Sequence, residues 1–374
     1  MNIPRYEYSI ACLQQTVNGL KGLELPYGLL VRYAIKANPH PEIISFMNES
    51  DLHFDASSAY EATVLLEQGV EGKKISLSSQ QSAHNLQELI DAGVLYVATS
   101  LNQIQQFINL KSHPNNLCVR INSGFGAGGN NRTSTGGITS SFGIWHKYIR
   151  EIIELTKNNN ITVSRIHIHI GSGADPSIWS EMIDSALGVI KQFPDADTLD
   201  IGGGFKVHRY GDEREADMKS IFEVFSQKLL EFKDKTGREL KLEIEPGAYT
   251  VAHAGTLVAY VDDIVDTGDN GFKFLRLNTG MNDVLRPTLY GAQHKIDVIN
   301  DSEIEEDYVV VGHNCESGDI LTPKDGNPEI ITTRRLKKAT IGDEVRIYDV
   351  GAYCASMRAK GYNSFPDAEE IMVD

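Results

Sequence analysis

Along the first two thirds of the chain, short apolar runs alternate with stretches whose apolar residues recur every three or four positions. The runs are VRYAIKA (Val31–Ala37), LHFDASS (Leu52–Ser58), ISLSS (Ile75–Ser79), LYVATS (Leu95–Ser100), LCVRIN (Leu117–Asn122), IHIHIGS (Ile166–Ser172), TLDIGGG (Thr198–Gly204) and LEIEPG (Leu242–Gly247). Each has strand length and a β-rich composition. Between them lie EIISFMNES, YEATVLLEQG, HNLQELIDAG, IQQFINL, HKYIREIIELTK, SEMIDSALGVIKQF and SIFEVFSQKLLEFKDKTG, all with helical spacing. Several close at Gly or Asn, as helix ends do. Eight strands, seven intervening helices and a leading helix at Cys12–Leu20 predict a (β/α)8 barrel over residues 11–249, near the ~250 residues typical of that fold. A doubly wound open sheet uses the same βα units and is the structural alternative.

One connection is irregular. GFGAGGNNRTSTGGITSSFGI (Gly124–Ile144) is rich in Gly, Ser, Thr and Asn and too long for an ordinary βα loop, which marks it as functional or mobile. After Tyr249 the texture changes. GTLVAYVDDIV, FKFLRLNT, HKIDVIN, DYVVVGHN, EVRIYDVGAY and EIMVD are strand-like runs separated by the turn signals GDNG, KDGNP and IGDE. Residues 250–374 therefore read as a second domain, a β-sandwich or barrel-like unit, which residues 1–10 could join.

Composition narrows the function. Of 374 residues, 35 are Lys or Arg and 51 are Asp or Glu, a formal net charge of −16. A chain so acidic is not built to hold nucleic acid, which needs clustered Lys and Arg. Hydrophobic residues at 41% and charged residues at 23% suit a globular protein. No run reaches the roughly 18 apolar residues of a membrane span. The opening MNIPRYEYSIACLQQ lacks a basic region followed by a long apolar run, so no secretory signal is expected. Cys12, Cys118, Cys315 and Cys354 are far apart and form no CxxC pair, which predicts neither a zinc knuckle nor a disulfide scaffold and favours a reducing cytoplasm.

In a barrel of this kind the chemistry sits at the C-terminal ends of the strands. Strand one carries Lys36; strand two, Asp55 and Ser58; strand five, Arg120. Strand six carries His167 and His169 before Gly171-Ser172-Gly173, strand seven ends in Gly202-Gly203-Gly204, and strand eight carries Glu243 and Glu245 before Pro246-Gly247. Lys36, flanked by apolar residues in YAIKAN, could be a snorkelling strand-end lysine. Desolvated, it would be an amine nucleophile of the Schiff-base kind. The glycine runs could be tight turns, or could bring backbone N–H groups close to a phosphate. His167 and His169 alternate with Ile and share a strand face, so a metal pair is a rival reading. No third ligand with matching spacing is evident, and a ring covering a planar cofactor suits His169 as well. Glu245 could form a barrel-mouth salt bridge or pair with a protonated ring nitrogen.

As an ordered set, YAIKANPHP, FDASSAYE, HIHIGSG, DIGGGF and EPG resemble the motifs of the fold-type III, alanine-racemase-like enzymes that use pyridoxal 5'-phosphate (PLP). They resemble most closely the diaminopimelate/ornithine/arginine decarboxylase family, and within it the diaminopimelate branch. GMNDVLRPTLYGAQH, CESGD, GAYCASM and YNSFP extend the likeness from about residue 30 to the C-terminus. The resemblance implies that Lys36 carries PLP, that His169 stacks on its ring, and that Glu245 pairs with the ring nitrogen. It sets Asp55 and Arg120 near the ring and lysine, and Ser172, Gly202, Gly203, Gly204, Gly247 and Tyr353 around the cofactor and its phosphate. Arg286, Tyr290, Glu316 and Tyr353 would face the substrate. Cys315, otherwise an ordinary buried cysteine, would come from the partner subunit of a homodimer with shared sites and donate a proton.

The implied reaction is decarboxylation of an amino acid, first of all meso-diaminopimelate to L-lysine and carbon dioxide. Two departures leave other substrates open. The family's Glu-Pro-Gly-Arg is Glu245-Pro246-Gly247-Ala248 here, and its Lys before Phe-Gly is Ser141. Either Arg286 and the loop around Arg132 compensate, or the substrate is another amino acid, such as ornithine, carboxynorspermidine or a carrier-tethered one. A racemising or merely PLP-binding barrel and a metal-dependent barrel hydrolase are the remaining alternatives.

Overall fold

A computed structural model of the protein describes residues 3–126, 135–169 and 171–374. The chain divides into two compact units. One contains residues 17–207 and 214–249; the other contains the chain up to Thr16, residues 208–213 and residues 250–374.

The first unit is a closed barrel. Its eight parallel strands, in chain order, are Leu29–Ala34, His53–Ala56, Ile75–Leu77, Leu95–Ala98, Asn116–Asn122, Thr162–His167, Thr198–Asp200 and Lys241–Ile244. The eighth pairs back onto the first, Leu242 opposite Leu29, and the fourth pairs with the fifth, so no edge is left open. The doubly wound sheet is thereby excluded. Buried aliphatic and aromatic residues such as Phe54, Ile75, Val97, Val119, Ile166, Leu199 and Leu242 line the strands. Helices follow with local signals the residues themselves supply. Ser58 accepts a hydrogen bond from the Glu61 N–H at 3.1 Å, and Glu61 in turn accepts from the Ser57 N–H at 2.6 Å, an N-terminal cap that starts helix Ala59–Glu67. Asp217 caps Met218–Thr236, and Gly237 ends it in the left-handed conformation at φ 75°.

The barrel interior holds charge as well as hydrocarbon. Arg32, 1% exposed, donates twice to Glu243, at 2.9 and 3.2 Å. Arg165 bridges Glu243 at 2.6 Å and Asp200, and also donates to the Ser76 hydroxyl at 2.9 Å. Alternating signs let buried charges neutralise one another, which unpaired burial forbids.

The second unit is an eight-stranded sheet around the long strand Gly255–Asp266. The first half of that strand pairs with Glu344–Tyr348 and with the N-terminal strand Arg5–Ser9; the second half pairs with Lys273–Leu277. Arg5–Ser9 also pairs in parallel with Glu369–Val373. A register shift between Val261 and Asp263 marks the change of partners.

Candidate active site

The C-terminal strand ends of the barrel gather Lys36, Asp55, Arg120, His167, His169, Asp200, Gly202–Gly204 and Glu245 within one unit. Lys36 is not on the first strand, as its run suggests. The strand ends at Ala34, and Lys36 lies on a single 3-10 turn, Ile35–Ala37. Its buried neighbours Ile35 and Ala37 anchor that turn, while the lysine side chain is 43% exposed. Its Nζ lies 3.9 Å from Asp55 Oδ2. Burial pushes the Asp55 carboxyl up and Lys36 opposes that rise. Asp55 Oδ1 is buried with no hydrogen-bond partner.

The sixth strand ends at His167, so only His167 of the two histidines is on it. His169 lies two residues beyond. Desolvation holds both imidazoles far below their ordinary value, and the neighbouring Arg120 and Lys36 push the same way, so both rings are neutral. His167 Nε2 is 3.5 Å from Glu245 Oε2. A third ligand type therefore does exist: His167, Asp200 and Glu245 bring ligand atoms within 4.8 Å of one another. Yet Asp200 is already committed, with Oδ1 accepting the Gly202 N–H at 2.8 Å and Oδ2 paired to the Arg165 guanidinium. A cation entering there would meet Arg165, and His169 is not part of the group. The metal reading loses its physical basis.

Glu245 follows the eighth strand and is 6% exposed. Burial, then Asp200 and Asp55, raise its carboxyl far above the usual carboxylate range. Its Oε1 has no partner. A buried acid with an orphaned oxygen and two acidic neighbours lacks a cationic N–H donor, and a protonated pyridine nitrogen is such a donor. Arg120, 8% exposed, stands with its guanidinium 5.0 Å from the Phe142 ring centroid.

Two glycine turns face each other beside these groups. The Gly173 N–H donates to Gly204 O at 2.9 Å, and the Lys206 N–H to Gly173 O at 3.3 Å. A Cβ on Gly204, whose φ is 100°, would lie 1.8 Å from Gly171 O; one on Gly203 would lie 2.2 Å from Glu245 O. Side chains are thus excluded and bare backbone is presented, with Ser172 half-buried between Gly171 and Gly173. Gly247 follows Glu245 at the start of the short helix Ala248–Val251. These features fit PLP: a lysine amine, an acid awaiting a ring N–H, a neutral imidazole and a side-chain-free cradle of the kind that admits phosphate.

The remaining candidates lie in the other unit. Arg286 and Tyr290 bound the short helix Arg286–Tyr290, which Pro287 opens and the left-handed Gly291 closes. The Arg286 guanidinium donates to His294 Nε2 at 2.9 Å. Cys315 is exposed, not buried, and its N–H donates to Asn363 Oδ1 at 2.7 Å. The next residue, Glu316, accepts from the Gly318 N–H at 3.2 Å and the Tyr362 hydroxyl at 3.1 Å, which holds its carboxyl below the ordinary value. Asp319 fixes this loop from beneath, accepting from the Met281 N–H at 2.6 Å and the Asn314 N–H at 2.9 Å. Tyr353 sits in a left-handed turn at φ 58°. Arg132 lies outside the described residues.

Sequence reading missed Asp200, Arg165 and Arg32. Asp200 had a usable signal: an acidic residue inside an apolar run immediately before three glycines. The two arginines had none beyond lying in (Arg32) or just before (Arg165) a strand-like run.

The fold and strand-end groups define a barrel enzyme organised around one lysine amine and one buried acid. Residues 20–252 match the family model described as the pyridoxal binding domain of pyridoxal-dependent decarboxylases, and the chain belongs to that family. It is 32% identical to the diaminopimelate decarboxylase of Buchnera aphidicola subsp. Schizaphis graminum, over 99% of this chain and 89% of that one. It is 30% identical to the diaminopimelate decarboxylase of Streptomyces coelicolor, over 99% of this chain and 84% of that one. The crystal structure of the Helicobacter pylori diaminopimelate decarboxylase complexed with L-lysine superposes with a TM-score of 0.85 at 27% identity, covering 100% of this chain and 92% of that one.

Proposed function

We propose that this chain decarboxylates meso-diaminopimelate, releasing carbon dioxide and L-lysine. The observation that carries the reading is the buried, partnerless oxygen of Glu245, in the same barrel mouth as the Lys36 amine. Lys36 would hold PLP, with Glu245 on the ring nitrogen, His169 against the ring, and Gly202–Gly204, Ser172 and Gly247 around the phosphate side. PLP supplies the electron sink that accepts the bonding pair left when carbon dioxide departs. The protein's part is electrostatic and positional. Glu245, ionised, would accept the cationic ring N–H, and that partner would offset the burial that otherwise raises its carboxyl. Neutral His169 offers a flat face without adding charge. Asp55 holds the Lys36 ammonium when the amine is released.

From the β unit, Arg286 and Tyr290 would bind the substrate, with Tyr353 at the phosphate and substrate end. Cys315 would return a proton to the carbon that lost carbon dioxide, with Glu316 beside it. The exposure of Cys315 and Glu316, on a loop to which Asp319 is hydrogen-bonded, supports their being offered to a second copy of the chain in a homodimer. Four free thiols fit a reducing, cytoplasmic setting. Among the described residues no helix is long and apolar enough to cross a membrane.

Ala248, in place of the arginine the resemblance leads one to expect, favours the second reading, a decarboxylase of an amino acid without a distal carboxylate. Carbon dioxide release measured over meso-diaminopimelate, ornithine, lysine, arginine and carboxynorspermidine separates the two. The proposal expects meso-diaminopimelate to be the preferred substrate. Release only from a substrate with no second carboxylate would overturn it.

A further inference from the structure

His167 lies inside the barrel, 1% exposed, and neither of its ring nitrogens has a hydrogen-bond partner. With His169 against the cofactor ring and Glu245 at the ring nitrogen, His167 is left without a task. A fully buried imidazole is rarely left so, because each orphaned polar atom costs stability. Its surroundings fix what it can reach. Strand register sets it between Arg120 of the fifth strand and Asp200 of the seventh. The Ile168 N–H donates to Asp200 O at 2.8 Å, and the Glu245 N–H donates to Gly202 O at 2.8 Å. Both segments are thereby tied to the same stretch of strand seven and its turn. His167 Nε2 comes to 3.5 Å from Glu245 Oε2, just beyond a good hydrogen bond. The orphaned Glu245 oxygen, Oε1, is the other one.

The acids beside it explain why a donor is needed. Ligand atoms of His167, Asp200 and Glu245 lie within 4.8 Å of one another. Asp200 is held by Arg165 and by the Gly202 N–H, so its charge is fixed in place. Burial, then that charge, favour the protonated form of Glu245 in the cofactor-free chain, and Asp200 accepts the proton in a hydrogen bond. Once Glu245 is ionised and accepts a cationic ring N–H at Oε1, that hydrogen bond is lost and two carboxylates face each other. Among the described residues, Arg165 pairs with Asp200 and Glu243 rather than with Glu245. Neutral His167 has one N–H to offer, and Oε2 is the acceptor nearest its Nε2.

We propose that His167 is a positioning residue for the acid that meets the cofactor: its Nε2–H holds Glu245 Oε2 while Oε1 takes the ring nitrogen. The inference rests on the reading that Glu245 is the partner of the PLP ring nitrogen. It gives the two histidines of IHIHIGS separate duties, His169 at the face of the ring and His167 behind the acid at its edge. A carboxylate held at both oxygens by charge-assisted hydrogen bonds has one orientation instead of several.

PLP and its deaza analogue, which has C–H in place of the ring nitrogen, test it by fluorescence titration of the full chain freed of cofactor. The analogue has no ring nitrogen for Glu245 to meet, so a residue acting through Glu245 should matter for PLP alone. His167→Leu should weaken PLP by roughly 10-fold or more, the loss of one hydrogen bond to a charged group, and the analogue by less than about threefold. His167→Gln, whose amide can reach the Nε2 position, should recover most of that loss. If His167→Leu does not fold, His167→Asn, whose amide reaches only the Nδ1 position, takes its place. Added to Glu245→Gln, His167→Leu should weaken PLP by less than about threefold further. Equal loss for both ligands, no loss for either, or additive losses in the double variant overturns the inference. Glu245→Gln alone separates the two readings. If it weakens PLP and the analogue equally, the ring-nitrogen role of Glu245 fails; if it is selective for PLP and His167→Leu is not, this inference alone fails.

Discussion

Gly202 lies so close to His169 that a Cβ at position 202 would sit 2.4 Å from the ring's Nδ1. The glycine also has a φ of 69°, in the left-handed region. The strand-seven turn therefore sets where the imidazole of the strand-six loop can lie, and one alanine tests that coupling.

Gly202→Ala should cost about 1–3 kcal/mol of stability from the left-handed backbone. It should also displace His169, and weaken PLP binding by roughly tenfold or more, equivalent to at least ~1.4 kcal/mol. Thermal unfolding and fluorescence titration of the cofactor-free protein read the two effects separately. Unchanged PLP affinity in a folded variant would remove His169 from the cofactor site.

Glu245 predicts a pH effect. Its carboxyl is raised in the folded protein, so below the ordinary carboxylate value the group is protonated in both folded and unfolded chains and its contribution to stability is complete. As pH rises, the unfolded chain ionises first, and that contribution is lost progressively towards the raised folded value. In cofactor-free protein, the melting temperature of the wild type relative to Glu245→Gln should therefore fall as pH rises above the ordinary carboxylate value, with ~1.4 kcal/mol lost for each pH step of one until the folded group itself ionises. PLP should diminish the trend by supplying a cationic partner. A pH-independent difference would contradict the assignment.

The Cys315 loop predicts complementation. Lys36→Ala and Cys315→Ala proteins should each be nearly inactive. Mixed in equal amounts with subunit exchange, about half the dimers are hybrids with one intact site, so activity should rise towards about a quarter of wild type. Exchange demonstrated by mass, with no recovery, would mean that sites are not shared.

The barrel was legible because its strands are bounded apolar runs and its helices begin and end on ordinary capping residues, as at Ser58 and Gly237. Lys36, Asp55, Arg120, His169 and Glu245 could be picked out because polar residues at the ends of apolar runs are conspicuous. What escaped detection were charges at or just before the start of such runs. Arg32 and Arg165 look solvent-facing in a linear pattern, and only barrel closure, which places Glu243 and Asp200 opposite them, explains their burial. The strand Arg334–Lys337 was missed for the same reason: RRLK carries one apolar residue in four. Residues 208–213 escaped because nothing local to HRYGDE shows that this segment belongs with the β unit.

Every role assigned at the barrel mouth depends on Lys36 being the residue that carries PLP. Borohydride reduction of the PLP-loaded protein, followed by peptide mapping, decides this. The label should fall on the peptide containing YAIKAN and be absent from Lys36→Ala. Label on any other lysine, or on none, would refute the assignment.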